Sequence, residues 1–349
     1  MSRVEQLSAR ERRVLEAVIQ TYVQTAEPAG SRTVSRRFGI GVSPATIRNT
    51  MSDLEEKGFL FHPHTSAGRV PTNKAYRAYV DALLGSTPVA ASADREKLTE
   101  ALTGSDSPIE TILRRAAQSL GVLTQELGVA MQPRLAASVL RSLDLVRLND
   151  ERLLMVLALE GGAVRSVFVE VAGSIAESAL TEVTKVLNER LAGLTLEDIR
   201  SSVGARLRDS VSAPSARELL NIFVQEADTL FDQKISRGEE RILLGQASVL
   251  AEQPEFAAAD RMRRLIELTE SPQDLADALR RRGQTSGISI TIGAEHEDER
   301  LRDFTVVTAE YHTGSLAGVI GVIGPTRMPY EKVISLVNHT SQLLSELLD

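Results

Sequence analysis

The sequence predicts an α+β protein of several domains. Three observations carry this. The chain has 349 residues, well beyond what one hydrophobic core usually organises. Its apolar residues change period along the chain, from helical spacing near the N-terminus to strand-like runs bounded by turn residues and back. Charge is also divided unevenly: residues 1–84 hold 12 Lys and Arg against 8 Asp and Glu, leaving 28 and 39 of the 40 and 47 for the remainder. A basic end on an acidic body fits a nucleic-acid-binding head on a protein- or ligand-binding body.

The first helix is predicted over 8–25. Ser8 is its candidate N-cap, and Val14, Leu15, Val18, Ile19, Tyr22 and Val23 form one apolar face. Pro28 and Gly30 close it, and Ser31 is placed to cap a short helix over 32–38. Gly39 and Gly41 supply a turn. Ser43 then caps a third helix with Pro44 at its first position, ending at Gly58. Ile47, Met51 and Leu54 recur at i, i+4 and i+7, so they face the core and leave Ala45, Thr46, Arg48, Asn49 and Ser52 pointing elsewhere. A short strand at Phe59–Phe61, the turn-rich HPHTSAG and a return strand starting at Arg69 make a hairpin, followed by helical spacing from Tyr76 to Leu84.

Two short helices, a tight turn and a hairpin in this order make a winged helix-turn-helix. That arrangement lays one helix in the DNA major groove with hydrogen-bonding side chains near its N-terminus. Arg48 suits guanine, Asn49 suits adenine, and Thr46 suits a thymine methyl or a phosphate. Ser43 lies where helix N–H groups favour phosphate. Arg32, Arg36 and Arg37 are candidates for the backbone, and Arg69 for a minor groove or flanking phosphate. The plainer alternative is a solvated three-helix unit, or a winged helix used for protein contact. The capped helix after a glycine turn, the hairpin behind it and the local positive charge together favour DNA.

Beyond a small, polar linker at 85–94, helix is expected over 108–130, then strands at 142–148, 153–159 and 164–171 joined as a meander through Asn149-Asp150 and Gly161-Gly162. Helices follow near 175–192, 215–232, 255–270 and 272–282. Further strands are expected at 241–244, 288–292, 304–311 and 316–323, and a last helix at 330–348. An antiparallel sheet flanked by helices results.

Several function classes are excluded or disfavoured. The chain has no Cys, so disulfides, thiolate metal sites and a catalytic Cys are ruled out and a reducing cytoplasm is the default compartment. The N-terminal MSRVEQLSARERRV is charged, unlike a signal peptide, and no apolar run is long enough for a membrane span. No nucleophile–base pair, carboxylate pair or metal triad has recognisable spacing, so no catalytic residue, metal or cofactor is expected and the chain is not read as an enzyme. Gly318, Gly321 and Gly324 lie in an apolar strand, where close packing explains them better than a phosphate cradle. His62 and His64 fit a wing turn rather than a metal site. The acidic run from Glu295 to Arg300 reads as a solvated loop.

Residues 43–80, SPATIRNTMSDLEEKGFLFHPHTSAGRVPTNKAYRAYV, resemble the N-terminal signature of the heat-inducible transcription repressor HrcA family of bacteria. RILLGQASVL followed by QPEF, and AGVIGVIGPTRMPYEKVISLVNHTSQLL, are similar to that family's later blocks, so the resemblance spans essentially the whole chain. It implies a winged-helix head at 1–84, a linker at 85–105, a GAF-like domain at 106–192 and 251–349, and a small inserted dimerisation domain at 193–250. It also implies a nucleoid-associated homodimer that binds double-stranded DNA at the CIRCE inverted repeat upstream of chaperone operons, with its active form supported by the chaperonin GroEL. Ser43, Thr46, Arg48 and Asn49 would lie in the recognition helix and Arg69 in the wing. Two other readings stay open: a regulator whose GAF-like domain senses a small ligand, and an enzyme with a DNA-binding head, which the missing catalytic constellation disfavours.

Overall fold

A computed structural model describes residues 7–64, 68–85, 91–103, 108–133, 138–160, 164–171, 173, 175–208, 214–226, 230, 242–270, 275–276, 279, 287–314 and 316–348. The chain divides into two compact units. One takes in residues 1–130, 242–310 and 319–343, the other residues 131–241, 311–318 and 344–349.

The first unit begins with three helices, α1 (Ala9–Thr25), α2 (Ser31–Phe38) and α3 (Pro44–Glu56). Ser8 and Glu11 cap α1 reciprocally, as a capping box. Helix α1 ends at Ala26 in a left-handed conformation, before Pro28 is reached. Gly30, not Ser31, is the N-cap of α2, and Ser31 is buried in its first turn. Gly39 and Gly41, both at positive φ, carry the chain through the turn that glycine alone makes without strain. Ser43 caps α3, accepting from the Thr46 N–H, and Pro44 opens it. Val14, Leu15 and Val18 of α1 meet Val34 of α2 and Ile47, Met51 and Leu54 of α3 in a buried core. Each such side chain contributes about 1.5–3 kcal/mol. A two-stranded antiparallel hairpin, β1 (Leu60–Phe61) and β2 (Val70–Pro71), follows, then α4 (Asn73–Leu84). Residues 65–67 of the expected turn lie outside the described residues.

The expected linker at 85–105 contains a helix, α5 (Ser92–Leu102). Its Leu98 and Leu102, one turn apart, are buried against the next helix, α6 (Ile109–Thr124). Helix α6 stops at Gln125, which is left-handed, and the expected continuation to 130 is instead a strand, β3 (Leu127–Met131), buried along its whole length. The body sheet runs in the order β7 (Ile242–Leu244), β3, β10 (Leu316–Pro325), β9 (Phe304–Thr313), β8 (Ile288–Ile292). β8 and β9 are antiparallel, and the short connection through Gly314 makes β9 and β10 a hairpin. Phe256, Phe304, Val306 and Ile323 join Leu265 and Leu268 of a helix at Ala259–Glu270 in one core. The last helix, Tyr330–Leu348, lies beside α5 through Lys332–Asp94 at 2.9 Å, and Ser341 donates to the Glu310 carbonyl of β9.

The second unit is built on a separate sheet, β4 (Leu140–Arg147), β5 (Arg152–Leu159) and β6 (Val164–Glu170), in the meander the sequence predicts. Leu143, Met155, Leu157, Val167 and Val169 face one side and pack on α7 (Glu177–Leu191), α8 (Leu196–Arg206) and α9 (Pro214–Gln225). The sequence-based boundary at 192/193 therefore falls inside one hydrophobic core: the meander belongs with the helices after it, not with the five-stranded sheet. The expectation over 272–282 lies almost wholly outside the described residues.

The glycines of β10 are packing residues. A Cβ on Gly321 would stand 2.1 Å from the Val307 carbonyl oxygen, and one on Gly324 would stand 1.8 Å from a Glu126 carboxylate oxygen. Gly321→Ala should therefore lower stability by about 1–3 kcal/mol through overpacking against backbone that cannot yield. Urea titration of the full chain measures this, and an unchanged midpoint would contradict it.

Candidate nucleic-acid interface

The exposed side of α3 is formed by Ala45, Arg48 and Asn49, with Thr46 and Ser52 half-buried at its margins. It results from the core positions: with Ile47, Thr50, Met51 and Leu54 buried, the residues between them must face outward. The side chains of Arg48 and Asn49 have no partner among the described residues, and neither do Arg32 and Arg36 on α2. Arg37 differs, because it donates to the Gln24 side chain at the end of α1. Ser43 and Thr46 are also engaged. Their hydroxyls lie 3.0 Å apart and the Ser43 Oγ accepts from the Thr46 N–H at 3.2 Å. They hold the start of the helix, a cap of about 1 kcal/mol.

Arg69 does not project from the wing. Its side chain is only 11% exposed and its Nη2 meets Glu55 Oε2 at 2.8 Å, while His62 Nδ1 meets the other Glu55 oxygen at 3.0 Å. Its main chain pairs with Ala29 in both directions, at 2.8 and 2.9 Å. A Cβ on Gly68 would collide with the Ala29 backbone at 2.4 Å, so the approach requires glycine there. The expected outward contact is thus replaced by an inward one: Arg69 ties the base of the hairpin to the C-terminal turn of α3. Glu55, fourteen residues away on a helix, carries no sequence signal that names it as the partner.

A second unpredicted contact steadies α3. Lys57, its C-cap, donates to Glu11 Oε1 at 2.5 Å, and Glu11 also accepts from the Ser8 N–H at 2.7 Å. These hydrogen bonds, the Lys57 one foremost, hold the Glu11 carboxyl down at about 2. Lys74 of α4 donates to the Lys57 carbonyl at 2.6 Å and lies over the Phe59 ring. The exposed donors of α3 therefore stand on a helix pinned at its start by Ser43 and at its end by Glu11, Glu55 and Lys74.

Comparison with known proteins places this head in context. A family profile described as "HrcA protein C terminal domain" matches residues 110–334. "Heat-inducible transcription repressor HrcA" of Chlorobium phaeobacteroides (strain BS1) is 39% identical over 355 residues, covering 98% of both chains. The protein of the same name from Geobacter sulfurreducens is 37% identical over 345 residues, again covering 98% of both. The chain belongs to the HrcA family.

The HrcA relatives align across the head as well as the body, whereas the profile begins at residue 110, behind it. Their names are those of repressors, not enzymes. A solved structure titled "Crystal structure of a hypothetical protein at 2.2 A resolution" shares the fold, with a TM-score of 0.62 and 22% identity over 98% of this chain and 99% of that one. Among the described residues, no helix is long and apolar enough to cross a membrane.

The depressed Glu11 carboxyl makes head stability depend on pH. Its folded value of about 2 lies below the ordinary 4.5, so the stabilisation is complete above about pH 4.5 and is lost as pH falls towards 2. With Lys57 partly exposed, about 1 kcal/mol is at stake. Glu11→Gln should remove this contribution at pH 7 and flatten the acid limb of the unfolding curve. Identical acid midpoints for variant and parent would contradict the role.

Proposed function

We propose that this protein is a dimeric repressor whose N-terminal unit is a winged helix-turn-helix reading an inverted-repeat operator. The observation that carries the reading is the pair Arg48 and Asn49, exposed on the capped α3 and without a partner among the described residues. Free bidentate side chains on the N-terminal half of a helix are what major-groove readout requires: Arg48 donates to the O6 and N7 of guanine, and Asn49 accepts from the N6 amino group and donates to the N7 of adenine. Ala45, one turn before Asn49, lets the helix approach closely. Arg32 and Arg36 serve phosphates, as does the amide-bearing start of α3. Arg69 acts as the hairpin's anchor, and base contacts come from α3.

Dimerisation supplies the second half-site. The three-stranded sheet supports this, because the face opposite its helices carries exposed apolar side chains. Val146, Leu154 and Phe168 lie in register across it, with Val156, Ala158 and Val164 beside them. Val164 and Phe168 are 67% and 64% exposed, and such a patch is characteristic of an interface. We read the five-stranded sheet with its helices as the GAF-like domain. Family membership is the ground for the remaining parts of the proposal: a cytoplasmic, nucleoid-associated protein whose operator is CIRCE, upstream of chaperone operons, and whose DNA-competent population the chaperonin GroEL raises.

Arg48→Ala should weaken binding to the inverted repeat by about 1–3 kcal/mol and relax base preference at one position in each half-site. Gel-shift titration against a set of single-base variants measures both, and unchanged affinity and preference would remove Arg48 from the reading surface. Phe168→Glu should leave the fold intact, since the side chain faces solvent, and convert the dimer to monomer. Sedimentation at micromolar concentration tests it, and a dimer that survives the substitution places the interface elsewhere.

A further inference from the structure

Two arginines fasten the reading head to the body sheet within one compact unit. Arg327, in the loop between β10 and the last helix, donates from Nη1 to the carbonyl of Val23 at 2.6 Å. Val23 lies in the final turn of α1, where main-chain carbonyls have lost their helical partners, so a cation there satisfies an orphan acceptor and meets the negative end of the helix dipole. Arg327 is itself held by Glu255 in a two-pronged pair, Nε to Oε1 and Nη2 to Oε2, the latter at 2.9 Å, and both side chains are 13% exposed. Arg77 of α4 makes a second attachment, donating from Nη2 to the Ile290 carbonyl at 2.7 Å and from Nε to Glu295 at 2.7 Å. Between these points Tyr76 and Tyr79 pack on Tyr330, with ring centroids 5.7 and 6.5 Å apart.

We infer that Arg327 is a positioning residue for operator recognition: with Glu255, it fixes the direction of α1, and through α1 that of α3, relative to the five-stranded sheet of the same unit. The inference rests on the dimeric-operator reading. Helix α1 packs directly on α3, so a rotation of α1 carries the reading helix with it. A head joined only by the chain could swivel, and two swivelling heads meet a duplex with no preferred separation. Heads with fixed direction meet half-sites at one spacing. The half-buried guanidinium–carboxylate fork supplies direction as well as attraction, because its two parallel bonds allow one orientation of the planes.

The experiment uses the full-length dimer and three sets of duplexes: the inverted repeat at the spacing the parent prefers, the same half-sites with one or two base pairs added or removed, and a single half-site. Arg327→Met leaves Glu255 unpaired, so Arg327→Met/Glu255→Met, which removes both charges, is measured beside it. The expected result is a loss of about tenfold in affinity at the preferred spacing, unchanged affinity for the single half-site, and a spacing preference that falls towards one. Hydrogen exchange at the amides of residues 22–26 should quicken in both variants. A variant that keeps the parent's spacing preference overturns the inference. So does equal weakening on all three sets, which marks a role in stability alone. If the parent itself binds no inverted repeat, it is the operator reading that fails.

Discussion

The body depends on how closely β10 lets its neighbours approach. With no side chain at Gly321, the strand sits against the Val307 carbonyl, and with none at Gly324 it accommodates the carboxyl of Glu126. Glu126 is fully enclosed there, and burial raises its carboxyl well above the ordinary range. Glu255, in the same neighbourhood, also suffers from burial, but the hydrogen bonds and charge of Arg327 outweigh it and keep that carboxyl low. Two acids near one guanidinium are thus shifted in opposite directions, one raised by its packing, the other lowered by its pairing. A single additional methyl on β10 would disturb this arrangement.

The head shows the complementary economy. Nearly every charged group at its base is already engaged: Glu11 with Lys57, Glu55 with Arg69 and His62, and Arg37 with Gln24. Those pairs hold α3 and the hairpin in place and have little left to offer a ligand. What remains unengaged among the described residues, Arg48, Asn49, Arg32 and Arg36, lies on the exposed sides of α2 and α3. The division between engaged and exposed charge follows from which side chains the fold has already paired. Arg69 is the instructive case, since its position in the hairpin suggests outward contact while its neighbours draw it in.

Much of this was legible in the sequence wherever local chemistry decides structure. The Ser43 cap with Pro44, the core positions Ile47, Met51 and Leu54, the meander over 140–170 and the last helix over 330–348 all follow from spacing and turn residues. What could not be read depends on distant partners. LGVAM at 127–131 has no alternation because the strand is buried on both faces, so it continues the apolar pattern of α6 without a break. The helix at 92–102 rests on two leucines in a charged segment. The helix at 196–206 starts at a Thr195 cap but carries a weak apolar face. The division between the two sheets is invisible along the chain, since strands of either kind read alike until their pairing is known. The Glu55–Arg69 and Glu255–Arg327 pairs span 14 and 72 residues, respectively, and nothing local announces either.

The edge of the three-stranded sheet has a consequence for assembly. Asn188 of α7 turns its amide onto β4, donating to the Leu143 carbonyl at 2.7 Å and accepting from the Leu143 N–H at 2.8 Å. It occupies the groups that an incoming strand would need. Further along the same strand, residues 193 and 194 pair with Leu140. A sheet blocked on this side cannot be extended there by another chain, which is the route to open-ended ribbons. Its apolar face, by contrast, can meet an identical face across a two-fold axis, and such a contact closes on itself and stops at two copies. One asparagine thus helps separate a finite partnership from a fibre.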